Sequence, residues 1–296
     1  MFASWAPNTI KTYESALKKW ASFCIEEEID PTTPRVQDII NFVQSLASAG
    51  LNVNSISTHR AALTTFLSGR GLQSLTSAEP FLTKMIKGIM RIKPKNPKSA
   101  EIWDVEEALQ WIRKMWPLED LGLKLLTWRT LLLASLCSPK RSNELASLSL
   151  LELRQSSSVW KFTLLKTKNR GYGAPHSAVY HKFEDEVLCP LTSFNAYLEA
   201  TSAVRKDKEL FLSYVRPHNK VTSATIARWL KSALMEAGIK GYSAHSTRAA
   251  STSKAALKGL TPKAILEAAN WSPKSSTFQR FYNKDIDESF QEMILG

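Results

Sequence analysis

Eight residues, Arg91-Ile-Lys-Pro-Lys-Asn-Pro-Lys98, limit what the chain can fold into more than any other stretch. They hold four basic residues, two prolines and no acid. Proline lacks an N–H and its ring clashes with the carbonyl four residues back, so no helix runs through such a segment. An extended connection remains, and it divides the chain into residues 1–93, a basic linker at 94–100, and residues 101–296. The linker cations Lys93, Lys95 and Lys98 either solvate a loop or meet a polyanion.

The part before the linker reads as helix throughout. Asn8 or Thr9 is placed to cap a helix through Ile10, Tyr13, Leu17, Trp20 and Phe23, whose three- and four-residue spacing makes one apolar face. Pro31 and Pro34 interrupt. Val36, Ile39, Ile40, Val43 and Leu46 predict a second helix ending at Gly50. Ile56, His59, Leu63, Phe66 and Leu67 predict a third, and Phe81, Met85, Ile86, Ile89 and Met90 a fourth. Four short amphipathic helices make a small all-α domain.

Beyond the linker, helices are expected over 101–116, 121–136, 191–200, 224–237, 246–258 and 262–270. Between them the pattern turns to strand at 159–166 and 178–182, with Asn169, Gly171 and Gly173 supplying a turn. The fold class is therefore mainly α with a small β-sheet (α+β).

The formal net charge is +12. The first 93 residues carry 10 Lys+Arg against 7 Asp+Glu, and the remainder 29 against 20, so the excess sits with the larger part. Such a balance favours a nucleic-acid partner. Cys24, Cys137 and Cys189 form no CxxC pair, which argues against a disulfide framework or structural zinc. Each is expected to be a small buried side chain. No secretory signal pattern is seen, and apolar runs such as 131–136 are too short to span a bilayer. A cytosolic or nuclear protein without a membrane partner is expected.

Four segments carry candidate chemistry. In Lys140-Arg141-Ser-Asn-Glu144-Leu145, Arg141 follows an apolar helix and Glu144 lies on the same helical face. A guanidinium fork suits phosphate, although a surface ion pair would look the same. In Leu165-Lys166-Thr-Lys168-Asn-Arg170-Gly, three cations crowd a turn, as groove contacts, a proton donor or an ordinary polar hairpin. In Ser243-Ala-His245-Ser-Thr-Arg248, His245 and Arg248 sit three apart at a helix start, on one face as a cationic pocket or as a capping histidine beside a surface arginine. In Ala269-Asn-Trp271-Ser and Phe278-Gln-Arg-Phe281-Tyr282, the aromatic residues serve either a site or the core.

In succession, these arginine, lysine, His-x-x-Arg, tryptophan and tyrosine residues resemble the tyrosine recombinase (phage-integrase-like) family along the whole chain. The segment from Ser243 through Tyr282 most resembles the recombinases of DIRS-type retrotransposons and Crypton-type transposons. The resemblance implies a helical core-binding domain at 1–93 and a catalytic domain at 101–296. It implies Arg141 and Arg248 as phosphate-binding arginines, Glu144 as the acid of Arg-x-x-Glu-Leu, His245 as the histidine of His-x-x-Arg, and Tyr282 as the nucleophile. Trp271 falls where many members carry a second histidine and some a tryptophan. For the hairpin lysine Lys168 is chosen, with Lys166 as the alternative, and Lys166 and Arg170 are counted with the linker lysines as DNA contacts.

Such a set stabilises charge on a phosphodiester without a metal or other cofactor, and the sequence offers no carboxylate cluster to hold magnesium. Double-stranded DNA is the expected partner. The protein is expected to be a monomer in free solution and a homo-tetramer on paired sites. The apolar tail residues Phe290, Met293 and Ile294 form one face that either packs on its own catalytic domain or, as the resemblance suggests, docks on a neighbouring subunit. The resemblance also implies a nuclear protein encoded by a mobile element. The competing readings are a catalytically inactive, domesticated DNA-binding protein, a type IB topoisomerase-like enzyme or telomere resolvase, and a basic helical scaffold.

Overall fold

The structure, a computed structural model, describes residues 7–69, 73–92, 102–165 and 176–272. The chain divides into two compact units, residues 1–99 and 100–296.

The first unit consists of α1 (Pro7–Glu26), α2 (Val36–Ser48), α3 (Val53–Ser68) and α4 (Gln73–Ile92). The apolar stripes converge on a core of Trp20, Ile39, Phe42, Val43, Ile56, Leu63, Leu67 and Leu82. Trp20 packs edge-on against Phe42 at 5.0 Å between ring centroids. Its indole N–H donates to the Pro31 carbonyl at 3.1 Å. Gly50, at φ 79°, stops α2 in a conformation that favours glycine. Arg35 caps α2, and its backbone N–H donates to Asp38 Oδ2 at 2.8 Å while its guanidinium meets Oδ1 at 3.0 Å. Those bonds hold the Asp38 carboxyl below the usual range, against the opposing effect of burial.

The first unit departs from two expectations. Asn8 lies inside α1, which includes Pro7, a residue that a first helical turn tolerates. α4 begins at Gln73, well before Phe81, the first apolar position assigned to the fourth helix, and it includes Pro80.

The second unit is built on α6 (Leu123–Cys137), in which Leu126, Leu131, Leu132, Leu133 and Ala134 are all buried. Around it lie α5 (Val105–Arg113), α7 (Ser142–Ala146), α8 (Pro190–Thr201), α9 (Ser223–Glu236), α10 (Ser246–Leu257) and α11 (Pro262–Ala268). Arg129 projects from α6 into the interior and joins it to α8, with Nη1 donating to Ser193 Oγ at 2.7 Å and Nη2 to the Val187 carbonyl.

An antiparallel sheet of order β1-β2-β3 comprises Leu153–Gln155, Val159–Leu164 and His176–His181. Leu153 pairs with Phe162, and Val159 with His181. Trp160, Phe162 and Leu164 alternate inward. There Phe162 and Tyr180 meet Phe194 of α8.

β1 was not expected from the sequence. α5 is shorter than expected because Asp104 caps it, accepting from the Glu106 N–H at 3.0 Å. All three cysteines are free, with Cys24 and Cys189 buried; Cys137, expected to be buried, is exposed at the end of α6. Among the described residues no helix is long and apolar enough to cross a membrane.

Candidate active site

The site begins where α6 stops. Ser138 is extended, Pro139 follows, and Arg141 caps α7 with extended backbone. An extended cap leaves its own N–H unused, and the acid three residues on takes it. Glu144 Oε2 accepts the Arg141 backbone N–H at 2.7 Å, and Oε1 accepts Arg141 Nη1 at 3.1 Å. Glu144 is 0% exposed and the Arg141 side chain 20%. A surface ion pair, the alternative reading of this motif, does not describe a carboxylate sealed from water.

α10 supplies the second guanidinium. Arg248, 1% exposed, brings Nη1 to 3.8 Å from Glu144 Oε2. One buried carboxylate thus serves two arginines from different helices. Its Nη2 donates to the Ala269 carbonyl. The Trp271 ring lies over the guanidinium, 4.5 Å from centroid to carbon.

The end of α11 explains why Trp271 stands there. Asn270 is left-handed at φ 52°. Its N–H returns to the Glu267 carbonyl at 3.0 Å, and the Trp271 N–H to Leu266 at 2.8 Å. This double closure ends a helix and leaves the last two carbonyls, Ala268 and Ala269, for other donors. Arg248 takes Ala269, and Lys140 Nζ takes Ala268 at 2.6 Å.

Lys140 is 4% exposed. Burial, helped by the nearby charges of Arg248 and Arg141 and opposed by Glu144, pulls its ammonium from the usual 10.5 down to about 8. Below pH 8 the lysine is protonated in both folded and unfolded chains. Between about 8 and 10.5 the unfolded chain binds more protons, so stability rises with pH over that window. Wild type is therefore expected to gain about 3 kcal/mol relative to Lys140→Met across it. Thermal melts of both proteins at the two ends of that window, about 8 and 10.5, read the difference, and a constant gap would contradict the burial of a charged amine.

His245 caps α10 and is exposed, without a side-chain capping bond. The turn before it passes through Gly241 at φ 83°. His245 and Arg248, expected on one face, stand at different depths, the arginine inside and the histidine at the surface. Ser246, beside His245, accepts the Trp103 indole N–H at 2.9 Å and donates to the Ser243 carbonyl at 2.7 Å. Lys254, farther along α10, reaches Asp104 at 3.4 Å.

The structure therefore gathers Arg141, Glu144, Arg248 and Trp271, with His245 on the rim of the same helix. Lys93, Lys95, Lys98, Lys166, Lys168, Arg170 and Tyr282 lie outside the described residues. Sequence reasoning gave no role to Lys140 or Trp103. The only signal for Lys140 was a lysine directly after Pro139 at the end of an apolar helix. Trp103 had none. Among the described residues, no group of three or more His, Cys, Asp or Glu side chains could hold a metal ion. The cluster holds two guanidinium groups in fixed positions on one buried carboxylate.

Residues 3–70 match the family described as phage integrase, N-terminal SAM-like domain. No curated protein sequence matches the chain. Among solved structures, the Tn1549 transposon integrase in complex with transposon right end DNA is similar at 13% identity and TM-score 0.66, over 99% of this chain and 94% of that one. The XerH site-specific recombinase bound to its difH substrate, a pre-cleavage complex, is similar at 15% identity and TM-score 0.62, over 96% and 78%. A lambda integrase tetramer bound to a Holliday junction is similar at 13% identity and TM-score 0.56, over 97% and 76%. The chain has the fold of the tyrosine recombinases, with an N-terminal SAM-like domain.

Proposed function

We propose that the protein is a site-specific DNA recombinase or integrase that cuts and rejoins DNA through a 3′-phosphotyrosine at Tyr282. The observation that carries this reading is one buried carboxylate, Glu144, holding Arg141 and Arg248 together while Trp271 covers the second guanidinium. A phosphodiester gains charge on its nonbridging oxygens during attack, and fixed guanidinium donors stabilise that charge. Neither a metal nor another cofactor is then required.

In this mechanism the Tyr282 hydroxyl attacks phosphorus and passes its proton to His245, which the exposed cap of α10 presents toward solvent. A phenol ionises only near pH ~10 unaided, so a base and a cationic pocket are both useful. The bond from phosphorus to the 5′ oxygen breaks, and Lys168 protonates the leaving oxygen. Trp271 offers its indole N–H to a phosphate oxygen, and having no basic nitrogen it does not replace a histidine base. Attack by a 5′-hydroxyl from a second duplex reverses the step and reseals the backbone without ATP or water. The protein acts on double-stranded DNA as a tetramer on paired sites and is a monomer when free. We place it with the recombinases of mobile elements, of DIRS or Crypton type, acting in the nucleus.

Incubation with a suicide duplex, from which the 5′ product diffuses away, tests the reading. A protein–DNA adduct that survives denaturation is expected. Binding without an adduct would instead indicate an inactive protein of the same fold. The lysine assignment has its own test. Lys168→Ala is expected to cleave about 100-fold more slowly, as befits the loss of a general acid, and a bridging 5′ sulfur should restore the rate because a thiolate leaves unprotonated. Rescue of Lys166→Ala in its place would move the role to Lys166.

A further inference from the structure

The turn from α6 to α7 carries one more cation than phosphate binding calls for. Lys140 does not bond to Glu144 but to a main-chain carbonyl, Ala268, 128 residues away at the end of α11. Keeping an ammonium 4% exposed on a neutral acceptor is costly, since desolvation disfavours its charge. The double closure at Asn270 and Trp271 leaves two carbonyls at the end of α11, and two buried cations take them, Lys140 from the turn before α7 and Arg248 from α10. The next side chain but one is Trp271, lying on Arg248.

We propose that Lys140 is a positioning residue, which seats the end of α11 on the α6–α7 turn and so fixes Trp271 over Arg248. It does not touch the phosphate. Its contribution is to join the parts of the cluster from α7, α10 and α11 into one unit. This rests on the recombinase reading only for its effect on cleavage; the placement of Trp271 stands apart from it. The charged groups around the amine are Arg141, Glu144 and Arg248.

The test uses the full chain labelled with 5-fluorotryptophan, the Trp271 signal being assigned by its loss in Trp271→Phe. In Lys140→Met the Trp271 fluorine resonance is expected to move, single-site DNA affinity to stay within about twofold, and cleavage to slow about 10- to 100-fold, the scale of a small misplacement in a site. Lys140→Arg, which keeps a cation, should restore most of the rate and return the resonance toward that of wild type. In wild type the same resonance should shift with a midpoint near pH 8 as the amine loses its proton, and in Lys140→Arg it should not. That titration decides the matter even if Lys140→Met fails to fold. An unmoved Trp271 resonance in Lys140→Met, or in the wild-type titration, would overturn the proposal. If wild type forms no adduct, the recombinase reading falls and the resonance still decides the role of Lys140.

Discussion

Tyr282→Phe is expected to bind DNA as wild type does and to form no covalent adduct. The substitution removes one oxygen and keeps the ring, so packing and charge are conserved while the attacking atom is lost. Tyr282 stands 34 residues after Arg248, in Phe278-Gln-Arg-Phe281-Tyr282. The size of the effect follows from the chemistry. A group that forms the covalent intermediate has no substitute in the site, and its loss lowers turnover by at least ~10³-fold, where the loss of an auxiliary donor costs less. The experiment incubates wild type and variant with the suicide duplex, denatures both, and resolves free from protein-linked DNA. Affinity measured in parallel should agree within about twofold, because phosphate contacts by lysine and arginine dominate binding. Should the Phe variant still give an adduct that withstands denaturation, Tyr282 is not the nucleophile. Tyr242, which adjoins the turn into α10, would then be the first alternative to replace.

How far the sequence went can be judged from single residues. The long helices were legible because Val36, Ile39, Val43 and Leu46 repeat at helical spacing and each faces one core. β1 was not, since three residues of which two are exposed carry no alternation; its strand conformation comes from pairing with β2. The early start of α4 was hidden by Pro80, whose local preference the helix around it overrides. The site shows the same division. Arg35-x-x-Asp38 and Arg141-x-x-Glu144 are the same local device, an arginine cap whose N–H is taken by an acid three residues on. The Arg35 side chain is 82% exposed and caps a helix. The Arg141 side chain is 20% exposed, and its acid also faces Arg248. Nothing within four residues separates the two motifs. Tertiary burial does, and so does a partner a hundred residues away. Lys140 was unreadable for the same reason, as its acceptor is a carbonyl, which every residue has.

Glu144 is the residue on which both arginines depend, and Glu144→Ala is expected to destabilise the protein by about 3–5 kcal/mol, the usual cost of removing one member of a buried ion pair. Three losses combine. The Arg141 backbone N–H loses its acceptor, the Arg141 guanidinium its 3.1 Å partner, and Arg248 the carboxylate 3.8 Å from its Nη1. Arg248 cannot escape to water, being 1% exposed and bonded to Ala269. Its charge therefore remains buried, next to Lys140. Glu144→Gln separates these contributions. Its amide oxygen can still accept the backbone N–H, so the cap survives, but the compensating charge is gone, and a smaller loss of about 1.5–3 kcal/mol is expected. If charge balance is what matters, Lys140→Met should soften Glu144→Gln, because it removes one of the cations left uncompensated. Chemical denaturation of the two single variants and the double variant closes that cycle. A double variant less stable than the sum of the two singles would show that Glu144 and Lys140 act through geometry and not through charge. A Glu144→Ala protein as stable as wild type would show that the buried cluster contributes nothing to holding α7 and α10 together.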